Sequence, residues 1–228
     1  MRALLLAQDP DESAVLALVL QRAGLATSRS VNFDAAITAL PEQPADLVVL
    51  AIEGTPHLEN IRRLRGLTDV PLVTIVDNIP EGIHVALLDA GTDLVIRRPF
   101  SARLLISQLR VLARRATGLP VFSLPTLCIE DLALDPATRS VQIGNDSPKR
   151  LTHLEFRLLY TLMIHREQMV PTETLVEHVW GYARESDREL VRGLVSRLRA
   201  KIEPDPRHPR YIVTVAGVGY TFLEQPTP

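Results

Sequence analysis

Residues 1–116 alternate strand patterns and helix patterns five times, and this alternation limits the fold more than any other feature of the chain. Short apolar segments predict strands, and apolar residues at helical spacing between them predict helices. Residues 47–52 are apolar throughout, as expected for a central parallel strand that is covered on both faces. We therefore predict an α/β doubly wound parallel sheet of five strands. The predicted strands are residues 3–7, 26–29, 46–52, 72–76 and 93–96, and the predicted helices are residues 12–23, 33–40, 58–65, 81–89 and 102–116.

The rest of the chain has a different order of elements. Residues 117–126 are rich in turn formers and predict a short stiff linker between two domains. Short strands are predicted at residues 127–129, 132–134 and 140–143, followed by a helix that opens with a capping box from Thr152 to Glu155. A second helix begins near Thr172, and a third covers about residues 188–203. A β-hairpin at residues 211–223, with two glycines in its turn, completes the domain at 127–228.

The third of these helices is amphipathic and basic. Its apolar residues share one face, and between residues 192 and 201 it carries four basic residues and no acidic one. A positive helix beside a small hairpin suits DNA, because a helix fits the major groove and the hairpin can contact the backbone or the minor groove. The alternative is a surface helix with a solvated charged face, and charge alone does not separate the two.

Several fixed spacings in the second half resemble the winged-helix DNA-binding domain of the OmpR/PhoB family of response regulators. The resemblance covers about residues 127–223, and residues 1–116 resemble the flavodoxin-like receiver domain that precedes it in this family. The resemblance of the second half predicts an α+β winged helix-turn-helix domain after the receiver. The matching residues are Leu151-Thr152, Glu155-Phe156, Leu158-Leu159, Val170, Glu173, Leu175, Val179-Trp180-Gly181, Arg197-Leu198-Arg199, Lys201-Ile202-Glu203, Thr214-Val215 and Gly217-Val218-Gly219-Tyr220.

The resemblance implies a DNA-binding transcription regulator that is not an enzyme. Its expected partners are double-stranded DNA with promoter direct repeats, a second copy of the chain and RNA polymerase. Four of the expected DNA-binding residues match positions that touch DNA in relatives, and the others belong to the basic helix. The full predicted set is Thr172, Trp180, Arg188, Arg192, Ser196, Arg197, Arg199, Lys201 and Thr214.

The receiver half departs from its family where phosphorylation would occur. Ala51 stands at the position of the phosphorylated aspartate, and alanine has no oxygen that could form an acyl phosphate. Gln8 and Asp9 stand at the acidic pair that holds Mg²⁺, so one of its two carboxylates is lost. Val76 replaces the hydroxyl residue and Arg98 replaces the lysine. The chain is therefore predicted to act without phosphorylation, with Arg98 paired to Asp9 or to another carboxylate of the pocket.

Three carboxylates remain near that pocket, and a new metal site is the less favoured alternative. They are Asp9, Glu53 and Asp77. The six histidines lie far apart and the single Cys128 is expected in the core, so no zinc spacing is present. No cofactor, no metal and no catalytic residue are therefore predicted.

The surface used for pairing also departs from the family. Relatives pair through the fourth helix, fifth strand and fifth helix of the receiver by charged contacts. Here those positions carry more apolar residues, which predicts a constitutive homodimer held by burial. The alternative is an apolar monomer surface. The predicted dimer face is Asp93, Leu94, Leu104, Gln108 and Val111.

Bulk properties limit the remaining function classes. The net charge is −2, so DNA binding must come from a local patch. No apolar run approaches the ~20 residues that span a bilayer, and one cysteine permits no internal disulfide, so a cytoplasmic location without membrane contact is expected. Glu189, Gly193 and Ala216 replace DNA-contacting residues of relatives and motivate a rival function. In that rival, the receiver sequesters a partner and the winged helix binds protein.

Overall fold

The computed structural model describes residues 1–54, 56–117, 126–181 and 188–224, with the side chains of 115–117 left out. The chain divides into two compact units, Met1–Thr117 and Gly118–Pro228. Most of the predicted linker, residues 118–125, lies outside the described residues. None of the helices in the described parts is long and apolar enough to cross a bilayer.

The first unit is a five-stranded parallel sheet in the order β2-β1-β3-β4-β5, with a helix after each strand, which confirms the predicted doubly wound fold. β3 and β4 are buried along their whole length because helices cover both faces of the sheet centre. The bounds are β1 Arg2–Ala7, α1 Pro10–Arg22, β2 Ala26–Ser30, α2 Phe33–Ala39, β3 Leu47–Ala51, α3 Leu58–Leu67, β4 Leu72–Val76, α4 Glu81–Ala90, β5 Leu94–Arg97 and α5 Ala102–Thr117.

Local sequence signals explain where these helices begin and end. Asp9 caps α1 by accepting hydrogen bonds from the backbone N–H groups of Asp11 and Glu12, and Pro10 fits the first helical turn. α4 ends at Gly91, whose φ of 124° is accessible mainly to glycine. Because the strands are parallel, the carboxyl ends of β1, β3, β4 and β5 meet at one edge of the sheet, where ligands bind in doubly wound folds.

The described residues of the second unit form three helices and two small antiparallel sheets, which confirms the winged-helix prediction. One sheet has the order β6-β7-β8-β9 and the other has the order β10-β12-β11. Sequence patterns did not predict the short strands β9 and β10. The bounds are β6 Leu127–Ile129, β7 Leu132–Asp135, β8 Ser140–Ile143, β9 Lys149–Arg150, α6 His153–Ile164, β10 Met169–Pro171, α7 Thr172–Trp180, α8 Arg188–Ile202, β11 Ile212–Val215 and β12 Gly219–Phe222.

The β11–β12 hairpin is anchored through β10. Gly219 pairs with Pro171 on one side and with Val215 on the other. A Cβ atom at Gly219 would overlap the carbonyl oxygen of Val170, so only glycine permits this approach of the strands. The hairpin is thereby held beside the N-terminal turn of α7.

Candidate functional site

α8 presents one narrow face to solvent. Its buried face packs against α6 and α7 through Leu190, Val191, Leu194, Val195, Leu198 and Ile202. Four residues at intervals of four are exposed: Arg188, Arg192, Ser196 and Ala200. At 3.6 residues per turn, side chains four apart lie nearly above one another, so these residues form a single stripe along the helix.

The N-terminal half of this stripe borders a groove between α8 and the β11–β12 hairpin. Arg188 and Arg192 line it from the helix, Thr214 lines it from β11, and Thr172 lines it from the start of α7. The groove has a volume of about 230 Å³, and its wall on the hairpin side includes the turn at Gly217. The structure thus brings together four of the predicted DNA-binding residues, which come from three elements.

Arg199 connects α8 to the hairpin. Its guanidinium donates hydrogen bonds to the Ile212 carbonyl oxygen at 2.6 and 3.0 Å and to Thr214 Oγ1 at 2.9 Å. The same group lies 5.9 Å from the centroid of the Tyr220 ring. Burial lowers the pKa of Arg199 from its ordinary value. Arg199 therefore acts mainly as a positioning residue that sets the hairpin against the helix.

Glu155 anchors the other side of α8. Its carboxylate accepts a 2.7 Å hydrogen bond from Lys201 Nζ and lies 3.9 Å from Arg197 Nε. It also completes the predicted capping box of α6, which is confirmed: Thr152 N donates to Glu155 Oε2, and Glu155 N donates to Thr152 Oγ1. This buried carboxylate therefore contacts both the N-terminus of α6 and two basic residues of α8.

The surroundings of Glu155 shift its protonation equilibrium. Burial would raise the pKa of the Glu155 carboxyl, but Lys201, the hydrogen bond from Thr152 and Arg197 together hold that pKa below its ordinary value. The side chain of Arg197 is only 10% exposed. The predicted DNA contacts of Arg197 and Lys201 therefore compete with their contacts to Glu155, a buried partner that the sequence did not indicate.

Trp180 is a core residue, which contradicts its predicted contact with DNA. Its side chain is 0% exposed, because α7 turns it toward the interior of the unit. α7 then ends at Gly181 in the left-handed conformation, with φ of 87°. Cys128 shows the opposite error, since it was expected in the core and is exposed on β6.

Arg98 fills the pocket at the carboxyl ends of the receiver strands. Its guanidinium forms a forked pair with Glu12, with Nε to Oε1 at 2.6 Å and Nη2 to Oε2 at 2.8 Å. Nη1 donates to the Ile52 carbonyl oxygen at 2.9 Å and to Asp77 Oδ1 at 3.3 Å. Glu12 raises the pKa of Arg98, although burial acts in the opposite direction. The predicted pairing of Arg98 with a pocket carboxylate is confirmed for Glu12 and Asp77, whereas Asp9 is used as the cap of α1.

The phosphoacceptor position, Ala51, holds no ionisable side chain. Ala51 is buried at the end of β3, and Val76 is buried at the end of β4. Gln8 is exposed and borders, with Ala51, a cavity of about 150 Å³. Within the described ranges, no group of three histidine, cysteine, aspartate or glutamate side chains lies close enough to hold a metal ion.

The predicted dimer face is largely turned inward: three of its five residues are buried within the receiver, so the surface expected to pair in a homodimer is smaller than predicted. Asp93 is 1% exposed and accepts hydrogen bonds from Arg65 Nη2 at 2.6 Å and from the Leu72 N–H at 2.9 Å. Leu94 and Gln108 are also buried. Of the five predicted residues, Leu104 and Val111 on α5 retain partial exposure. The missed signal was Arg65 on α3, which draws Asp93 into the receiver.

Comparisons with known proteins agree with this architecture. Residues 146–222 match the family described as "Transcriptional regulatory protein, C terminal". The DNA-binding response regulator MtrA of Mycolicibacterium smegmatis is 34% identical over 222 residues, covering 96% of this chain and 95% of the relative. MtrA of Mycobacterium tuberculosis strain H37Rv is 35% identical over 224 residues, covering 96% of each. The solved structure of a RitR mutant has the same fold, with a TM-score of 0.74 and 22% identity over 97% of this chain and 98% of that one.

The two similarities to MtrA extend over both units of the chain, and the C-terminal family match lies on the winged-helix unit. The receiver sheet and the winged helix occur in the order that the sequence predicted. The chain therefore belongs to the OmpR/PhoB family of response regulators.

Proposed function

We propose that this protein is a transcription regulator that binds double-stranded DNA through α8 and the β11–β12 hairpin. The observation that carries the proposal is the groove in which Arg188, Arg192, Thr172 and Thr214 converge beside an exposed helix face. Guanidinium and hydroxyl groups are the usual donors to DNA phosphates, and an exposed helix face is the usual element in the major groove. The name of MtrA, a DNA-binding response regulator, supports the same function.

Sequence selection from random duplex DNA tests this function. We expect the full chain to enrich two direct half-sites about one helical turn apart, as two copies side by side would require. Binding should weaken with salt, with log K falling by about 0.9 per log unit of salt for each phosphate neutralised. No enriched sequence together with salt-insensitive binding would contradict the proposal and favour the protein-interaction rival.

Regulation is proposed to be independent of phosphorylation. Ala51 supplies no nucleophile, and Arg98 pairs with two carboxylates at the pocket, Glu12 and Asp77. A guanidinium held by Glu12 on α1, Ile52 after β3 and Asp77 after β4 stabilises one arrangement of the pocket without a phosphoryl group.

A small phosphodonor tests that independence. After incubation with acetyl phosphate and Mg²⁺, intact-protein mass spectrometry should show no added phosphoryl group on the full chain. DNA affinity should also be unchanged by the donor. A response regulator with an intact aspartate serves as the positive control in the same mixture. Stable phosphorylation of this chain, or a shift in its affinity, would refute the proposal.

A homodimer formed through the receiver is also proposed, on a smaller surface than the sequence suggested. The partly exposed Leu104 and Val111 on α5 remain available, whereas Asp93, Leu94 and Gln108 are buried. Sedimentation equilibrium should detect a dimer that Leu104→Glu weakens, and a monomer at all concentrations would contradict it. Contact with RNA polymerase and a cytoplasmic location stay predictions from the sequence.

A further inference from the structure

We infer that Arg192 selects a guanine base in each half-site, an inference that rests on the DNA-binding function proposed above. Arg192 is exposed on α8, and it has no hydrogen bond or ion pair with any described residue. An arginine in a major groove can donate two parallel hydrogen bonds to O6 and N7 of guanine, and this is the commonest specific contact between protein and DNA.

The other basic residues of α8 are engaged within the protein. Arg199 holds the hairpin, and Lys201 and Arg197 contact Glu155. Arg188 pairs with Glu173 at 2.9 Å, although both side chains remain exposed. Arg192 is consequently the basic side chain of α8 whose donors are available without breaking a contact to a described residue.

The position of Arg192 on the helix places it toward base edges. Successive residues turn by about 100°, so Arg188 and Ala200 mark the two margins of an exposed arc about 120° wide. Arg192 and Ser196 lie between them, near its middle. When a helix enters the major groove, the middle of its exposed face meets the bases and its margins meet the phosphates.

The neighbours of Arg192 leave room for a long side chain. Ser196, one turn further along, has a short side chain, and Gly193 has none. Because Gly193 is buried, Ser196 is the residue that adjoins Arg192 on the exposed face toward the C-terminus of α8, and its short side chain leaves room for the aliphatic part of Arg192. Ser196 can accept or donate one hydrogen bond, which is compatible with any base pair.

Charge-conserving substitution separates base recognition from phosphate binding. Lysine keeps the positive charge but cannot form the same planar forked contact. The site selected by the full-length protein would be compared with duplexes in which each guanine is changed to adenine. We expect one guanine per half-site whose change weakens binding by about 5- to 150-fold. In Arg192→Lys this preference should largely disappear, while the salt dependence of binding to random DNA keeps its slope because the charge is retained.

The matched control is Arg166→Lys, which changes an exposed arginine paired with Glu224, at a distance in sequence from α8. It should alter neither the preference nor the slope. If Arg192→Lys keeps the same guanine preference on the selected sequence, the assignment of Arg192 to a guanine is wrong, but the proposed DNA-binding function is unaffected. A uniform loss of affinity in Arg192→Ala at every guanine, with the salt slope lower by about one, also overturns it and makes Arg192 a phosphate contact. Failure of the unmodified protein to enrich any sequence overturns the proposed function as well.

Discussion

Replacing Glu155 by glutamine should lower the free energy of unfolding of the C-terminal unit by about 3–5 kcal/mol, because it breaks a buried ionic cluster from one side. Glu155 is 1% exposed and is joined to Lys201 at 2.7 Å and to Arg197 at 3.9 Å. Glutamine keeps an oxygen that can accept the hydrogen bond from the Thr152 N–H, so the capping box is preserved. The decrease in the free energy of unfolding therefore measures what the negative charge of the Glu155 carboxylate contributes to stability.

Trp180 provides the measurement. It is the single tryptophan of the chain and is fully buried in the same unit, so urea unfolding of the full-length protein can be followed by its fluorescence. Glu155→Ala should cost more than Glu155→Gln, since it removes the cap as well. Glu224→Gln is the control, because its pair with Arg166 is about half exposed and should contribute at most about 1 kcal/mol. Equal effects of Glu155→Gln and Glu224→Gln would show that the buried cluster is not stabilising.

The same carboxylate should give the unit an acid-sensitive stability. The pKa of Glu155 is lower in the folded protein than its ordinary value of 4.5. Its contribution is therefore complete above the unfolded-state pKa and is lost as the pH falls through the lower folded-state pKa. The difference in stability between the parent and Glu155→Gln should be constant near neutral pH and shrink below about pH 4.5. A difference that grows on acidification would contradict the assigned ionic state.

Most elements of the fold could be predicted from the sequence, because the periodicity of apolar residues and the capping residues of helices are local features. Five strand–helix repeats predicted the receiver sheet, and the Thr152–Glu155 spacing predicted a capping box that the structure contains. The strands β9 and β10 were missed because two or three residues are too few to show a period of two.

The candidate site was predicted less accurately, because burial and pairing are properties of the packed chain. A count of basic residues on α8 did not distinguish exposed Arg192 from Lys201, whose partner Glu155 lies 46 residues away in sequence. Similarly, Arg98 pairs with Glu12 across 86 residues rather than with Asp9, the acid nearest the family motif. The charge pattern thus indicated α8 as the helix proposed to bind DNA, and packing decided which of its charges remain available.

Replacing Arg65 by methionine should destabilise the receiver unit by about 3–5 kcal/mol, since the buried Asp93 carboxylate would lose its guanidinium partner. Arg65 is 13% exposed and Asp93 is 1% exposed, with 2.6 Å between Nη2 and Oδ2. The same guanidinium also donates to the carbonyl oxygens of Gly91, at 2.7 and 3.0 Å, and Val70, at 2.8 Å. One side chain thus ties α3 to the loops before β4 and β5.

Hydrogen exchange measured by mass spectrometry on the full chain can localise this effect, because the receiver unit contains neither tryptophan nor tyrosine. Faster exchange is expected in β4, β5 and α4 of Arg65→Met, with the C-terminal unit unchanged. Arg63→Met is the matched control on the same helix, since Arg63 pairs with Asp34 at an exposed position and should cost about 1 kcal/mol or less. Comparable exchange in the two variants would contradict a stabilising role for the buried pair.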